Sequence, residues 1–149
     1  MPHLLELNRQ TAVEHQITDT HRESADDIRI NPGLHANLFP YQAQGVAWMD
    51  QTIRHTGGLI LADEKGLGKT IQIIALLLCE KPETSRPALI ICPTSLIANW
   101  RKEIMKFAPE LSVLIHRGHN RTGITAGLQR AQVVLSTYDT VVNDISIFA

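Results

Sequence analysis

An α/β fold, with a mostly parallel sheet covered by helices on both faces, is what this sequence predicts. Three observations carry the prediction. Four short apolar runs, Leu59–Ala62, Leu89–Cys92, Val113–His116 and Val133–Thr137, alternate with helical stretches at 69–80, 96–107 and near 123–130. Such strands are apolar throughout, as in parallel sheets buried on both faces. The residues with chemical potential cluster after the carboxyl ends of those runs, where open α/β sheets bind ligands. A chain of 149 residues can bury about two-thirds of its unfolded surface, enough for one core.

In chain order, residues 1–31 form a polar N-terminal extension, loosely attached or partly helical, since Thr18 to Asp27 shows no convincing period. His15 and His21 could suggest a metal site, but they suit solvated surface positions better. Residues 32–149 form the domain. Pro40 is a favoured first helical residue, and the helix it opens turns Val46, Met49 and Ile53 to the core, with Trp48 also packed there. Leu59–Ala62 reads as a buried strand that runs into Asp63-Glu64-Lys65-Gly66-Leu67-Gly68-Lys69-Thr70 and then a helix.

That turn is the most informative stretch of the chain. Successive N–H groups form an anion nest, and the helix beginning near Lys69 aims its positive dipole end at the same point. Gly66 and Gly68 admit an oxygen-rich ligand close to the backbone. Lys69 would set an ammonium on the β and γ phosphates of ATP, and the Thr70 hydroxyl would ligate Mg²⁺. The spacing G-x-x-x-x-G-K-[ST] is not fully met, because Asp63 stands where its first glycine belongs. The bland alternative is an ordinary strand–turn–helix junction.

The helix at 69–80 is apolar nearly all round, so it should be central, ending at Lys81-Pro82. After strand 89–92, Pro93 stops the ladder and Thr94 and Ser95 follow. Their hydroxyls serve equally as helix caps or as partners of a nucleic-acid phosphate. Ile97, Trp100, Ile104 and Phe107 recur at helical spacing and read as core. Beyond strand 133–137 the tail reads as the start of a helix. Asp144 is the one tempting acid there, with no Glu beside it and no buried strand before it.

Composition narrows the class. The longest apolar run, Ile73 to Cys79, is far too short to span a bilayer. Met1-Pro2-His3 leads into polar sequence without a secretory pattern, so an intracellular site with no membrane partner is expected. Cys79 and Cys92 lack zinc-ligand spacing and read as two buried reduced thiols. A net charge of −1 offers no global basic field, so any contact with DNA must be local.

Asp63-Glu64-x-Gly66-Leu67-Gly68-Lys69-Thr70 resembles the first helicase motif of the Swi/Snf-type ATPases, DNA translocases of the second helicase superfamily; Lys65 stands where the family usually has Met. Upstream, Leu38-Phe39-Pro40-Tyr41-Gln42 and Gly45-Val46-Ala47-Trp48 are similar to the family's Leu-Arg-Pro-Tyr-Gln-x-x-Gly-Val-x-Trp segment, with Phe39 in place of Arg. A Gln amide can donate and accept at once, as the N6/N7 edge of adenine requires. The resemblance assigns that role to Gln42. Downstream, Cys92-Pro93-Thr94-Ser95-Leu96-Ile97-Ala98-Asn99-Trp100 is similar to the motif that holds a DNA phosphate. His116-Arg117-Gly118 replaces a Tyr-His-Gly, so no role carries over to His116 or Arg117. Ser136-Thr137-Tyr138 resembles a Thr-Thr-Tyr element that faces DNA.

The resemblance implies a three-layer RecA-like lobe that binds ATP with Mg²⁺ through Gln42 and residues 63–70. It also implies contact with double-stranded DNA through Thr94, Ser95 and Thr137. The family's acidic Asp-Glu pair comes a little beyond the Thr-Thr-Tyr segment, and a second RecA-like lobe follows it. Both are absent from these residues. The sequence therefore predicts a lobe incomplete at its carboxyl end, with no catalytic residues of its own and with the second lobe on further sequence or another chain. Three readings follow: part of an ATP-driven double-stranded-DNA translocase, a nucleotide-binding module that hydrolyses nothing, or a non-functional gene fragment.

Overall fold

The computed structural model describes residues 33–119, 121 and 123–148. The predicted extension, with His15 and His21, lies outside them. Helix α1, Pro40–Thr56, begins at its proline and ends on Gly57, whose φ of 74° closes the last turn with a bond from its N–H to the Ile53 carbonyl. Helix α2 is Lys69–Glu80. Strand β1, Ala88–Ile91, is followed by a 3₁₀ turn at Thr94–Leu96 and helix α3, Ile97–Phe107. Strand β2 is Val113–His116, helix α4 is Thr125–Leu128, and strand β3 is Val133–Ser136. Two short helices close the order, α5 at Tyr138–Asn143 and α6 at Ile145–Phe148, as the tail predicts.

Among the described residues the sheet has three parallel strands in the order β1-β3-β2. Strand β3 is central. Val133 and Leu135 pair with Ala88 and Ile90 on one side, and with Val113 and Ile115 on the other. Its four residues are at most 1% exposed, so they carry no polar alternation. Met49 of α1, Ile74 and Leu78 of α2, and Ile97 and Ile104 of α3 pack with Val133 and Leu135 into one core. Trp48, Trp100 and Phe107 lie against its margin. These three helices pack on the sheet face that carries Val133 and Leu135, and α2 is central, as expected.

Two expectations fail. Leu59–Ala62 forms no strand: it joins no ladder, and Ile60 is 74% exposed. An apolar run becomes a strand only where a neighbour takes up its N–H and C=O groups, and among the described residues none does. Cys79 is exposed and only Cys92 is buried. Cys79 lies near the end of α2, where the helix leaves the core. Burial raises the Cys92 thiol pKa and keeps it protonated. Among the described residues, no helix is long and apolar enough to cross a membrane.

Candidate functional site

The 63–70 turn is held by side chains, without a ladder. Gly66 and Gly68 have φ of 92° and 80°, in the left-handed region that suits glycine. A Cβ built on Gly66 meets nothing within 4 Å, whereas one on Gly68 would lie 2.4 Å from Gln42 Nε2. Gly68 is the N-cap of α2 and offers no side-chain acceptor. The first N–H groups of the helix therefore have no side-chain cap.

Lys69 Nζ donates to the carbonyls of Asp63 and Glu64, 2.7 Å each. The ammonium thus closes the turn on itself. Leu67, 39% exposed, offers its carbonyl to Gln42 Nε2 at 3.2 Å and to the Tyr41 hydroxyl at 3.3 Å. Gln42 Oε1 accepts from the Phe39 N–H at 2.9 Å. Gln42 is buried and ties three elements together: the segment before α1, α1 itself, and the loop. Glu64 and Lys65 are exposed, and the Thr70 hydroxyl has no partner among the described residues.

Two residues that sequence reasoning gave no role also shape the site. Gln72, 1% exposed, donates from Nε2 to the Asp63 carboxylate at 3.2 Å. Its Oε1 is buried without a partner and lies 2.3 Å from where a Cβ on Gly45 would stand. Gly45 therefore lets α1 pack closely on α2 over this amide. The signal was present: Gln72 is the lone polar residue in Ile71-Gln72-Ile73-Ile74. Tyr41 is the second, a residue 46% exposed whose ring stacks beside Phe39 with centroids 5.9 Å apart and an interplanar angle of 7°.

At the carboxyl ends of the strands the other candidates separate. Thr94 and Ser95 are exposed, and their hydroxyls bond to nothing among the described residues. Neither caps a helix by its side chain, since Pro93 and Leu96 hold the cap positions without such bonds. Thr137 instead caps α5: its hydroxyl meets Thr140 Oγ1 at 2.9 Å, with the Thr140 N–H at 3.4 Å.

Asp144 is fully engaged. Arg121 reaches it through Nε and Nη2, at 2.5 and 3.0 Å, and the buried His116 Nε2 lies 2.9 Å away. Arg121 chiefly, then His116, hold its carboxyl at a pKa of about 2. Phe148 meets the His116 ring edge-on at 5.3 Å. This cluster ties α5 and α6 to the end of β2 and leaves the tempting acid no free oxygen for a metal.

Residues 41–149 match the family model described as the SNF2-related domain. The chain is 40% identical over 136 residues to helicase SWR1 of Eremothecium gossypii, covering 85% of this chain and 9% of that protein. It is 39% identical over 116 residues to chromodomain-helicase-DNA-binding protein 1-like of Mus musculus, covering 73% and 13%. The SWI2/SNF2 ATPase core of Sulfolobus solfataricus, solved in complex with dsDNA, is 37% identical with a TM-score of 0.67, over 76% of this chain and 24% of that one. A second structure of that core domain is 35% identical at the same TM-score, over 79% and 24%. The chain thus spans about a quarter of the solved cores and less of the full-length relatives. The family model covers most of the chain, and the chain belongs to the SNF2-related family with the fold of its RecA-like ATPase lobe.

Proposed function

We propose that this chain is the ATP-binding part of an ATP-dependent double-stranded-DNA translocase of the chromatin-remodelling type. The observation that carries the reading is Lys69, whose ammonium rests on two loop carbonyls at the mouth of an uncapped helix. An arriving phosphate offers this ammonium an anionic acceptor in place of two neutral carbonyls. The open space at Gly66 and the free N–H groups of α2 suit the same ligand. Thr70, with its hydroxyl unengaged, would hold Mg²⁺, which neutralises phosphate charge when bound. Asp63, Glu64, Lys65 and Leu67 form the wall of this nest. Gln42 would read adenine through its remaining amide proton, or by releasing Phe39.

Thr94 and Ser95 would hold DNA phosphates. Thr137 would join them only by exchanging Thr140 for the DNA. For the chain alone we favour nucleotide binding without efficient hydrolysis, because Asp144 is sequestered by Arg121 and His116 and the described residues after β3 hold no Asp-Glu pair. Phosphoryl transfer in this class also draws on an arginine from outside the loop, worth on the order of 10³–10⁵ in rate.

Titration calorimetry of ADP with Mg²⁺ against the chain and Lys69→Ala tests the binding. A loss of about 1.5–3 kcal/mol in the variant is expected, and equal affinities refute the phosphate-loop reading. Phosphate release with and without duplex DNA tests the rest, and brisk DNA-stimulated turnover by the chain alone would refute the non-hydrolysing reading.

A further inference from the structure

A groove of about 580 Å³ opens between α3 and the end of β2, beginning at Thr94. Arg101, Lys102 and Arg117 line it, and no acid does. All three cations are exposed, and none has an ion-pair partner among the described residues. By contrast, Arg54 and Arg121 are each paired with a carboxylate. On a chain of net charge −1, three unpaired cations on one groove form a local field that the composition conceals. The apolar floor includes Met105, 59% exposed, and Ile115, 36% exposed.

We propose that this groove seats the sugar-phosphate backbone of one DNA strand, continuing the phosphate row that begins at Thr94 and Ser95. The inference rests on the DNA reading above and deepens it by naming the residues that supply the charge. Phosphates lie against the three cations and the Thr94 hydroxyl, while the sugars lie on Met105 and Ile115. A nucleic acid fits better than an acidic protein segment because the groove starts at the unengaged Thr94 hydroxyl, and backbone phosphates are held by hydroxyls and cations together.

The test is fluorescence anisotropy of a labelled duplex, titrated from 50 to 200 mM salt with about 3 phosphates at stake. The unaltered chain is compared with a groove variant carrying Arg101→Gln, Lys102→Gln and Arg117→Gln. A charge-matched control carries Lys81→Gln, Arg86→Gln and Arg130→Gln, three exposed positions away from the groove. Each phosphate contact contributes about 0.9 to the slope of log affinity against log salt. The groove variant should flatten that slope by about 2–3 and bind at least about tenfold more weakly at low salt, with the control close to the unaltered chain. Equal losses in both variants, or an unchanged slope in the groove variant while the unaltered chain binds, would overturn the groove and leave the DNA reading standing. Tighter retention of a polyglutamate peptide than of duplex by the groove would replace DNA with an acidic protein segment. Failure of the unaltered chain to bind duplex at all would overturn both readings. Circular dichroism of each variant separates lost binding from lost fold.

Discussion

Val133–Ser136, apolar but for Ser136, and Leu59–Ala62 are runs of the same length, and the molecule treats them oppositely. The first has a strand on each side and lies at most 1% exposed. The second has no strand beside it, and Ile60 is 74% exposed. Burial stabilises β3 through packing and ladder bonds. The glycine turn is held instead by discrete polar tethers, Gln42 and Tyr41 on the Leu67 carbonyl and Lys69 on two others. A region held by a few side-chain bonds can exchange them for a ligand, whereas a close-packed strand cannot. The part of the chain proposed to bind nucleotide is therefore the part with weaker internal support.

The sharpest way to break this comparison is a pair of truncations. Leu135→Ala should cost about 2–5 kcal/mol in urea unfolding, as a cavity in a core that cannot collapse. Ile60→Ala should stay within about 0.5 kcal/mol, as at an exposed position. A cost at Ile60 comparable to that at Leu135 would mean that the segment is packed in solution.

A smaller effect separates the two glycines of the turn. Each alanine variant meets the left-handed penalty of about 1–2 kcal/mol. Only Gly68→Ala also drives its Cβ into the Gln42 amide. Gly68→Ala should therefore lower stability and nucleotide affinity more than Gly66→Ala. The reverse order would place the tether elsewhere.

The smallest effect is the acid dependence of the Asp144 cluster, at the opposite kind of site. The folded carboxyl titrates at about 2, below its ordinary 3.8. The unfolded chain thus binds the proton more readily. The stabilisation is present in full above the ordinary value and drains away as pH falls from about 4 towards 2. Asp144→Asn should flatten that acid limb of the stability curve and leave its shape above neutrality unchanged. An unaltered acid limb would show that the ion pair does not persist in solution.

The backbone of the glycine turn is legible in the sequence. Glycines at 66 and 68 before Lys69-Thr70 require a tight turn opening a helix, because those φ values and that dipole are local properties. Thr94 and Ser95 were ambiguous between capping and ligand contact, and the 3₁₀ turn leaves both hydroxyls unused. The resemblance makes Thr137 a DNA contact, yet its hydroxyl is spent on Thr140. A hydroxyl's partner depends on where the next helix begins, to within one residue, which periodicity does not resolve.

By itself, the sequence determined the α/β class, the central apolar helix α2, three strands to within a residue at each end, and a glycine turn at 66–68 that opens α2. Each follows from short-range pattern: periodicity, glycine placement and helix polarity act within a few residues. Only the tertiary structure decided that 59–62 stays out of the sheet, that Gln42 and Gln72 hold the loop from two helices, and that Arg121 and His116 capture Asp144. It also gathered Arg101, Lys102 and Arg117 onto one groove. These outcomes depend on which distant groups meet, and a pairing across 23 or 28 residues leaves no period in the chain from which it could be read.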